Sequence, residues 1–265
     1  MFQTKVSADG ITYKYKAILV SKYFSQVQGV DYHETFALVA KMDSIRLVLA
    51  ISASKHWEVH HMDDKSAFLH AYIHEEIYMK QPKGYISDPY LVCKLKKSLY
   101  GLKQAPREWY SKMDAFLLSQ NFQRCKSDPN VYIQEYYGNF IIILLYFDDL
   151  LITGSTFASI SVIKTALHNA IEMSDLGLLK QFLGLEIEKN SDGIMVTQSK
   201  YISYLLLKFN MAEFKAAPFP FLSGIGLEEG KSTPPMDCTI YRQLIGSLLY
   251  LTHYRSDIYY AMNYV

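Results

Sequence analysis

Two pairs of adjacent aspartates, Asp63-Asp64 and Asp148-Asp149, are the residues best suited to chemistry in this chain. The second pair closes Tyr146-Phe147-Asp148-Asp149, between the apolar runs Phe140 to Leu145 and Leu150 to Ile152. Acids between two β-prone runs predict the turn of a tight hairpin that holds carboxylates at the edge of a sheet. Taken alone, such a pair is a solvated turn, because Asp favours turns through its own local hydrogen bonds. The upstream cluster changes that reading. Trp57 to Asp64 reads as a strand ending in acids before the short segment Ala67-Phe68-Leu69. Two strand ends so equipped can face each other, and carboxylates held that way bind a divalent cation such as Mg²⁺, which takes oxygen ligands and completes its shell with water and substrate phosphate. The chemistry suggested is phosphoryl transfer.

Strands and helices must alternate to position these acids. Phe2 to Val6 and Ile11 to Val20 predict a hairpin across Ser7-Ala8-Asp9-Gly10; a helix starts at Asp43 and carries Ile45, Val48, Leu49 and Ile51 inward. Ala105-Pro106 opens another, with Pro in its first turn and Trp109, Met113, Phe116 and Leu117 on one face. Val131 to Tyr136 and Phe140 to Tyr146 form a hairpin across Gly138-Asn139, leading into the acidic turn. Thr156 to Met173 is helical, with the stripe Ile160, Ile163, Leu167, Ile171. Phe182 to Glu188 and Ile194 to Gln198 read as a hairpin, Lys200 to Phe209 and Tyr241 to Leu251 as helices. Pro and Gly concentrate between Ala216 and Met236, which marks a linker. Strands interspersed with helices on a small sheet argue an α+β fold.

Composition sets limits. With 265 residues, 50% apolar and 20% charged, the chain buries a sizeable core and is globular. Three scattered cysteines, Cys93, Cys125 and Cys238, suggest neither a disulfide framework nor a zinc site, so a reducing, intracellular setting is the default. The longest apolar run, Phe140 to Phe147, is too short to span a bilayer, and no membrane association is expected. A net charge of +1 is modest for a binder of nucleic acid, although lysines cluster at Lys14, Lys16, Lys22 and again at Lys94, Lys96, Lys97, Lys103 with Arg107. His70 and His74 stand four apart, a spacing that grips zinc on a helix, but no third ligand pattern accompanies them.

Three blocks, Met62-Asp63-Asp64-Lys65-Ser66-Ala67-Phe68-Leu69-His70, Ser98-Leu99-Tyr100-Gly101-Leu102-Lys103-Gln104-Ala105-Pro106-Arg107 and Tyr146-Phe147-Asp148-Asp149, resemble the palm motifs of copia-type retrotransposon reverse transcriptases, in the same order. Similarity continues through Phe182-Leu183-Gly184-Leu185-Glu186 and Tyr241-Arg242-Gln243-Leu244-Ile245-Gly246. The resemblance implies an α+β right-hand polymerase: fingers and palm over 1–214 with a small antiparallel palm sheet flanked by helices, a linker at 215–236, and the truncated start of a thumb or connection region at 237–265. It implies an RNA-directed DNA polymerase using two Mg²⁺ or Mn²⁺ ions, with RNA template, DNA primer and deoxynucleoside triphosphates as partners. Asp63 and Asp148 would be the bridging carboxylates, with Asp149 supporting the second ion or orienting the first. Phe68 would lie under the sugar and exclude a 2′-hydroxyl, Tyr100 and Gly101 would approach nucleotide and template, and Lys103 would pair with phosphate. Phe182, Leu183 and Gly184 would form the primer grip, while Lys16, Lys22, Lys96, Lys97 and Arg107 would follow the nucleic-acid backbone.

Departures from the family pattern point to a second reading, a retroelement remnant that folds and binds nucleic acid without extending primers. Ile18 stands where Arg is usual, Tyr23 where Gly is, Asp64 where an apolar residue is, and Ser174 where Lys is, with Lys180 nearby as a substitute. Leu38 and Ser256 each replace a Pro. A third reading, a metal-dependent nuclease, uses the same acids.

Overall fold

The computed structural model describes residues 2–6, 12–64, 66–220 and 237–264, a mixed α/β chain with antiparallel sheets. It divides into two compact units, Met1–Leu179 and Lys180–Val265.

In the first unit β1 (Phe2–Val6) pairs with β2 (Thr12–Ala17); the turn expected at Ser7 to Gly10 lies outside the described residues. Helix α1 (Met42–Ser54) begins one residue before the expected start and has no capping side chain of its own. Asp128 does that work instead: its Oδ2 accepts the Lys41 N–H at 2.9 Å and the Ser44 hydroxyl at 2.6 Å. Ile45, Val48 and Leu49 are buried as expected, but Ile51 is only half-buried. At 100° per residue the fourth inward position is Ser52, which bonds to the Thr153 hydroxyl at 3.0 Å.

Next come β3 (Val59–Asp63), the one-turn α2 (Ala67–His70), a ribbon of β4 (Tyr78–Lys80) and β5 (Val92–Lys94), and α3 (Ala105–Ser119). The remainder of the unit is β6 (Gln123–Arg124), β7 (Val131–Tyr136), β8 (Asn139–Tyr146), β9 (Asp149–Gly154), α4 (Phe157–Ile171) and β10 (Ser174–Leu178). Six of these strands make one antiparallel sheet in the order β10-β3-β9-β8-β7-β6. Its central strands are covered on both faces. Ile141, Ile143, Leu145, Leu150 and Ile152 pack with Trp109, Met113 and Leu117 of α3 and with the full predicted stripe Ile160, Ile163, Leu167 and Ile171 of α4. The other face receives α1, tied down by Ser52. Burial on both faces is why β8 and β9 read as continuous apolar runs rather than alternating ones. The β7–β8 turn falls one residue before its expected place: Tyr137 and Gly138, at φ 49° and 76°, supply the two positive angles that such a turn demands, and Asn139 already belongs to β8.

The second unit holds β11 (Gln181–Phe182), β12 (Leu185–Asn190), β13 (Gly193–Thr197), α5 (Ser199–Lys208), α6 (Cys238–Leu251) and α7 (Tyr259–Tyr264). The strand expected from Phe182 to Glu188 is broken by Leu183-Gly184, whose φ of 51° and 77° fold it into a hairpin. The division between units falls at Leu179–Lys180, ahead of the expected linker at 215–236, because β11, β12 and β13 pair only among themselves and Ile187 donates to the Lys180 carbonyl. Among the described residues no helix is long and apolar enough to cross a membrane.

Candidate active site

Strand pairing brings the two acidic clusters together. Asp63 closes β3 and pairs directly with Asp149, the first residue of β9, with Ser174 of β10 on its other side. The Asp64 N–H donates to the Asp148 carbonyl at 3.0 Å. Between Tyr146 and Asp149, themselves paired, the chain reverses through Phe147 and Asp148 alone. Phe147 adopts φ 50°, uncommon for a bulky residue and costly unless neighbours hold it. Trp109 of α3 provides the hold: its indole N–H donates to the Phe147 carbonyl at 2.8 Å.

Tyr100 feels the charge of this cluster. Burial, then the charges of Asp148, Asp64 and Asp63, push the Tyr100 hydroxyl up to about 12. Phe68 meets that ring edge-on, with centroids 4.9 Å apart. Asp64 is buried beside the cluster. Its Oδ1 accepts the Ser66 N–H at 2.8 Å, whereas Oδ2 is buried with no hydrogen-bond partner. Burial raises its pKa and the charge of Asp63 adds to that, against the Ser66 N–H and His70. Asp149 lies apart in its bonding, with Oδ1 2.7 Å from His61 Nε2. Among the described residues no group of three His, Cys, Asp or Glu side chains is arranged to hold a metal ion. Asp63 and Asp148 nevertheless offer hard oxygen donors, and an ion of the Mg²⁺ kind takes one or two carboxylates and fills its other positions with water and phosphate. The donor pair fits an ion completed by substrate.

The remaining predicted residues fall into two groups. Gly101, at φ 86°, lies against Val20 and Ser21: a Cβ there would collide with the Ser21 carbonyl, and the Ser21 N–H donates to Tyr100 O at 2.7 Å. Lys103 bonds to the Tyr32 hydroxyl at 2.9 Å and lies 4.7 Å from that ring's centroid. Beside it Gln104, fully buried, donates to Asp31 O and accepts from Gln26. Lys22, Lys96 and Lys97 are exposed, Lys97 over the Tyr72 ring, and Arg107 is half-buried next to Glu108. The side chain of Lys16 lies outside the described residues. Phe182, Leu183 and Gly184 make the β11–β12 turn of the second unit, where the Tyr250 hydroxyl donates to Leu183 O and a Cβ on Gly184 would sit 2.9 Å from that hydroxyl. Helix α2 ends at His70, so His74 shares no helical face with it; His70 contacts the Ser66 hydroxyl and exposed His74 lies beside Glu108. Tyr23 opens a short 3₁₀ turn, Tyr23–Ser25.

His61, Trp109, Tyr250 and Asp128 stand outside the residues that the sequence singles out for a functional role. His61 alone carries a readable signal, since a residue two positions before Asp63 shares its strand face.

The family described as reverse transcriptase (RNA-dependent DNA polymerase) matches residues 1–223. The chain is 42% identical over 278 residues to the retrovirus-related Pol polyprotein from transposon TNT 1-94 of Nicotiana tabacum, covering 100% of this chain and 21% of that protein. It is 38% identical over 272 residues to the corresponding polyprotein from transposon RE1 of Arabidopsis thaliana, covering 99% and 18%. For transposon RE2 of the same plant the figures are 36% over 265 residues, 99% and 18%. The chain thus spans about a fifth of the length of these curated relatives. No solved structure matches it.

Proposed function

The chain belongs to the reverse transcriptase (RNA-dependent DNA polymerase) family, of the copia type, and on that premise we propose that it extends a DNA primer on an RNA template by metal-assisted nucleotidyl transfer at Asp63 and Asp148. The observation that carries this reading is the pairing of Asp63 with Asp149, which sets the β3 acid beside the Phe147-Asp148 turn.

Asp63 and Asp148 would hold the divalent ions, Mg²⁺ or Mn²⁺. Bound there, the ions supply a more acidic primer hydroxyl and neutralise charge on the leaving pyrophosphate. The protein's own part is positioning. Trp109 fixes the turn that presents Asp148, and Gly101 lets the Tyr100 loop lie flush against the Ser21 backbone. Tyr100, kept protonated at neutral pH, is a hydroxyl donor beside the acids. Phe68, packed on Tyr100, supplies an apolar wall where a sugar without a 2′-hydroxyl fits. Leu183 and Gly184, braced by Tyr250, are a rigid turn suited to gripping a primer end. Exposed Lys22, Lys96 and Lys97 are available to backbone phosphates.

Primer extension on an RNA template with Mg²⁺ or Mn²⁺ tests this. The expected result is deoxynucleotide incorporation abolished by Asp148→Asn; no product under either metal refutes it. One observation favours the second reading, a folded remnant: the buried Asp64 Oδ2, without a hydrogen-bond partner, beside the proposed ion-holding pair. Salt-dependent binding to an RNA–DNA hybrid without extension would select that reading.

A further inference from the structure

Resting on the reading of Asp63 and Asp148 as the ion-holding pair, we propose that His61 is a positioning residue that withdraws Asp149 from the ligand set, so that the site works with two carboxylates rather than three.

The argument begins with strand geometry. Side chains alternate along β3 and β9, so His61 and Asp63 share a face, as do Asp149 and Leu151. The register pairs Asp63 with Asp149 and His61 with Leu151. Asp149 therefore has a like charge directly across and an imidazole on the diagonal, within the reach of cross-strand neighbours. Repulsion from Asp63 and attraction to His61 act in the same direction. The outcome is the 2.7 Å hydrogen-bonding contact between His61 Nε2 and Asp149 Oδ1. Both side chains are shielded, at 14% and 31% exposure, so the bond is not an incidental surface pair.

The far side of β3 leaves room for this. The residue opposite His61 on β10 is Gly177, which offers no side chain to compete for the ring. Asp148 behaves differently from its neighbour: its charge acts on the Tyr100 hydroxyl together with those of Asp63 and Asp64. The charge of Asp148 thus reaches Tyr100, whereas Asp149 is held by His61.

The test is Mn²⁺ binding by the full chain without nucleotide, read as loss of the free-ion resonance in electron paramagnetic titrations. Asp63→Asn is expected to weaken Mn²⁺ binding about 10-fold or more, whereas Asp149→Asn should change it by less than about 2-fold. His61→Leu frees the Asp149 carboxylate and should tighten binding by about 3-fold or more, since affinity rises with ligand charge. That gain should vanish in His61→Leu combined with Asp149→Asn. His61→Gln, which keeps an N–H donor for Asp149, should restore the wild-type affinity, something a fold defect would not do. If Asp149→Asn weakens Mn²⁺ as much as Asp63→Asn, Asp149 is a ligand and the inference is overturned. Unchanged or weaker binding in His61→Leu overturns it as well. If Asp63→Asn has no effect, the underlying two-carboxylate reading fails first, and the inference with it.

Discussion

Replacing Asp64 by Asn should stabilise the protein, although the residue sits beside the proposed ion-holding pair. Asp64 is 3% exposed, and of its two carboxylate oxygens Oδ1 has the Ser66 N–H while Oδ2 is buried and unpartnered. A buried polar atom left unsatisfied is costly, and more so when it carries charge; Asn leaves a polar atom there but removes the charge, and the return should be about 1–3 kcal/mol. For a chain of this size the gain corresponds to a melting-point rise of about 2–10 °C. Asp64→Ala should gain about 1 kcal/mol less than Asn, because the Ser66 N–H then loses its acceptor. Urea unfolding at pH 8, followed by tryptophan fluorescence, reads both variants against the wild type. An Asn variant that unfolds at lower urea than the wild type would refute the reasoning. It would mean that the Asp64 carboxylate has a stabilising partner that a neutral amide cannot replace.

Three further outcomes are expected. Asp128→Ala removes the acceptor of the Lys41 N–H, the Ser44 hydroxyl and the Asn130 N–H, and should cost about 2–4 kcal/mol in urea titrations. Burial alone would raise the pKa of Asp128, but the bonds from Ser44, Lys41 and Asn130 outweigh it and hold the pKa below the ordinary value. A depressed folded pKa means that the contribution is complete above about pH 4 and is lost as pH falls through the folded value, so the gap between wild type and Asp128→Ala should narrow at pH 3. Gly101→Ala combines left-handed strain with a collision against Ser21 O and should lower stability by about 2 kcal/mol or more, with a matching drop in the melting temperature. Trp109→Phe removes the hydrogen bond to the Phe147 carbonyl, and misplacement of the acidic turn should slow single-turnover extension by about 10-fold or more while dNTP KM moves little.

Local signals in the chain were readable wherever a residue answers to its own neighbours. The α4 stripe follows from 3.6-residue spacing, and the paired acids follow from apolar runs that can be nothing but buried strands. Ile51 carries the apolar signal but the helical angle turns it half outward, and the burial of Ser52 in its place depends on Thr153, a residue of another element. The same holds for the His61–Asp149 bond and for Trp109 on Phe147, which exist only once β3, β9 and α3 are packed. The turn at Tyr137-Gly138 slipped by one position because Asn is the better left-handed residue locally, yet the register of β7 with β8 chose Tyr137. Gly101 and Lys103, expected to face a nucleotide, are both engaged by the Ser21 and Tyr32 segment, a long-range pairing with no periodic trace.

The bond from Asp128 to Lys41 also has a temporal meaning. The leading turn of α1 is completed by an acid 87 positions downstream. On a ribosome moving at roughly 5–20 residues per second, that partner arrives about 4–17 s after Lys41 has been added. Until then the Lys41 N–H and the Ser44 hydroxyl have only water, and a nascent chain stalled before residue 128 should show a frayed α1 front that protects its amides poorly from deuterium exchange.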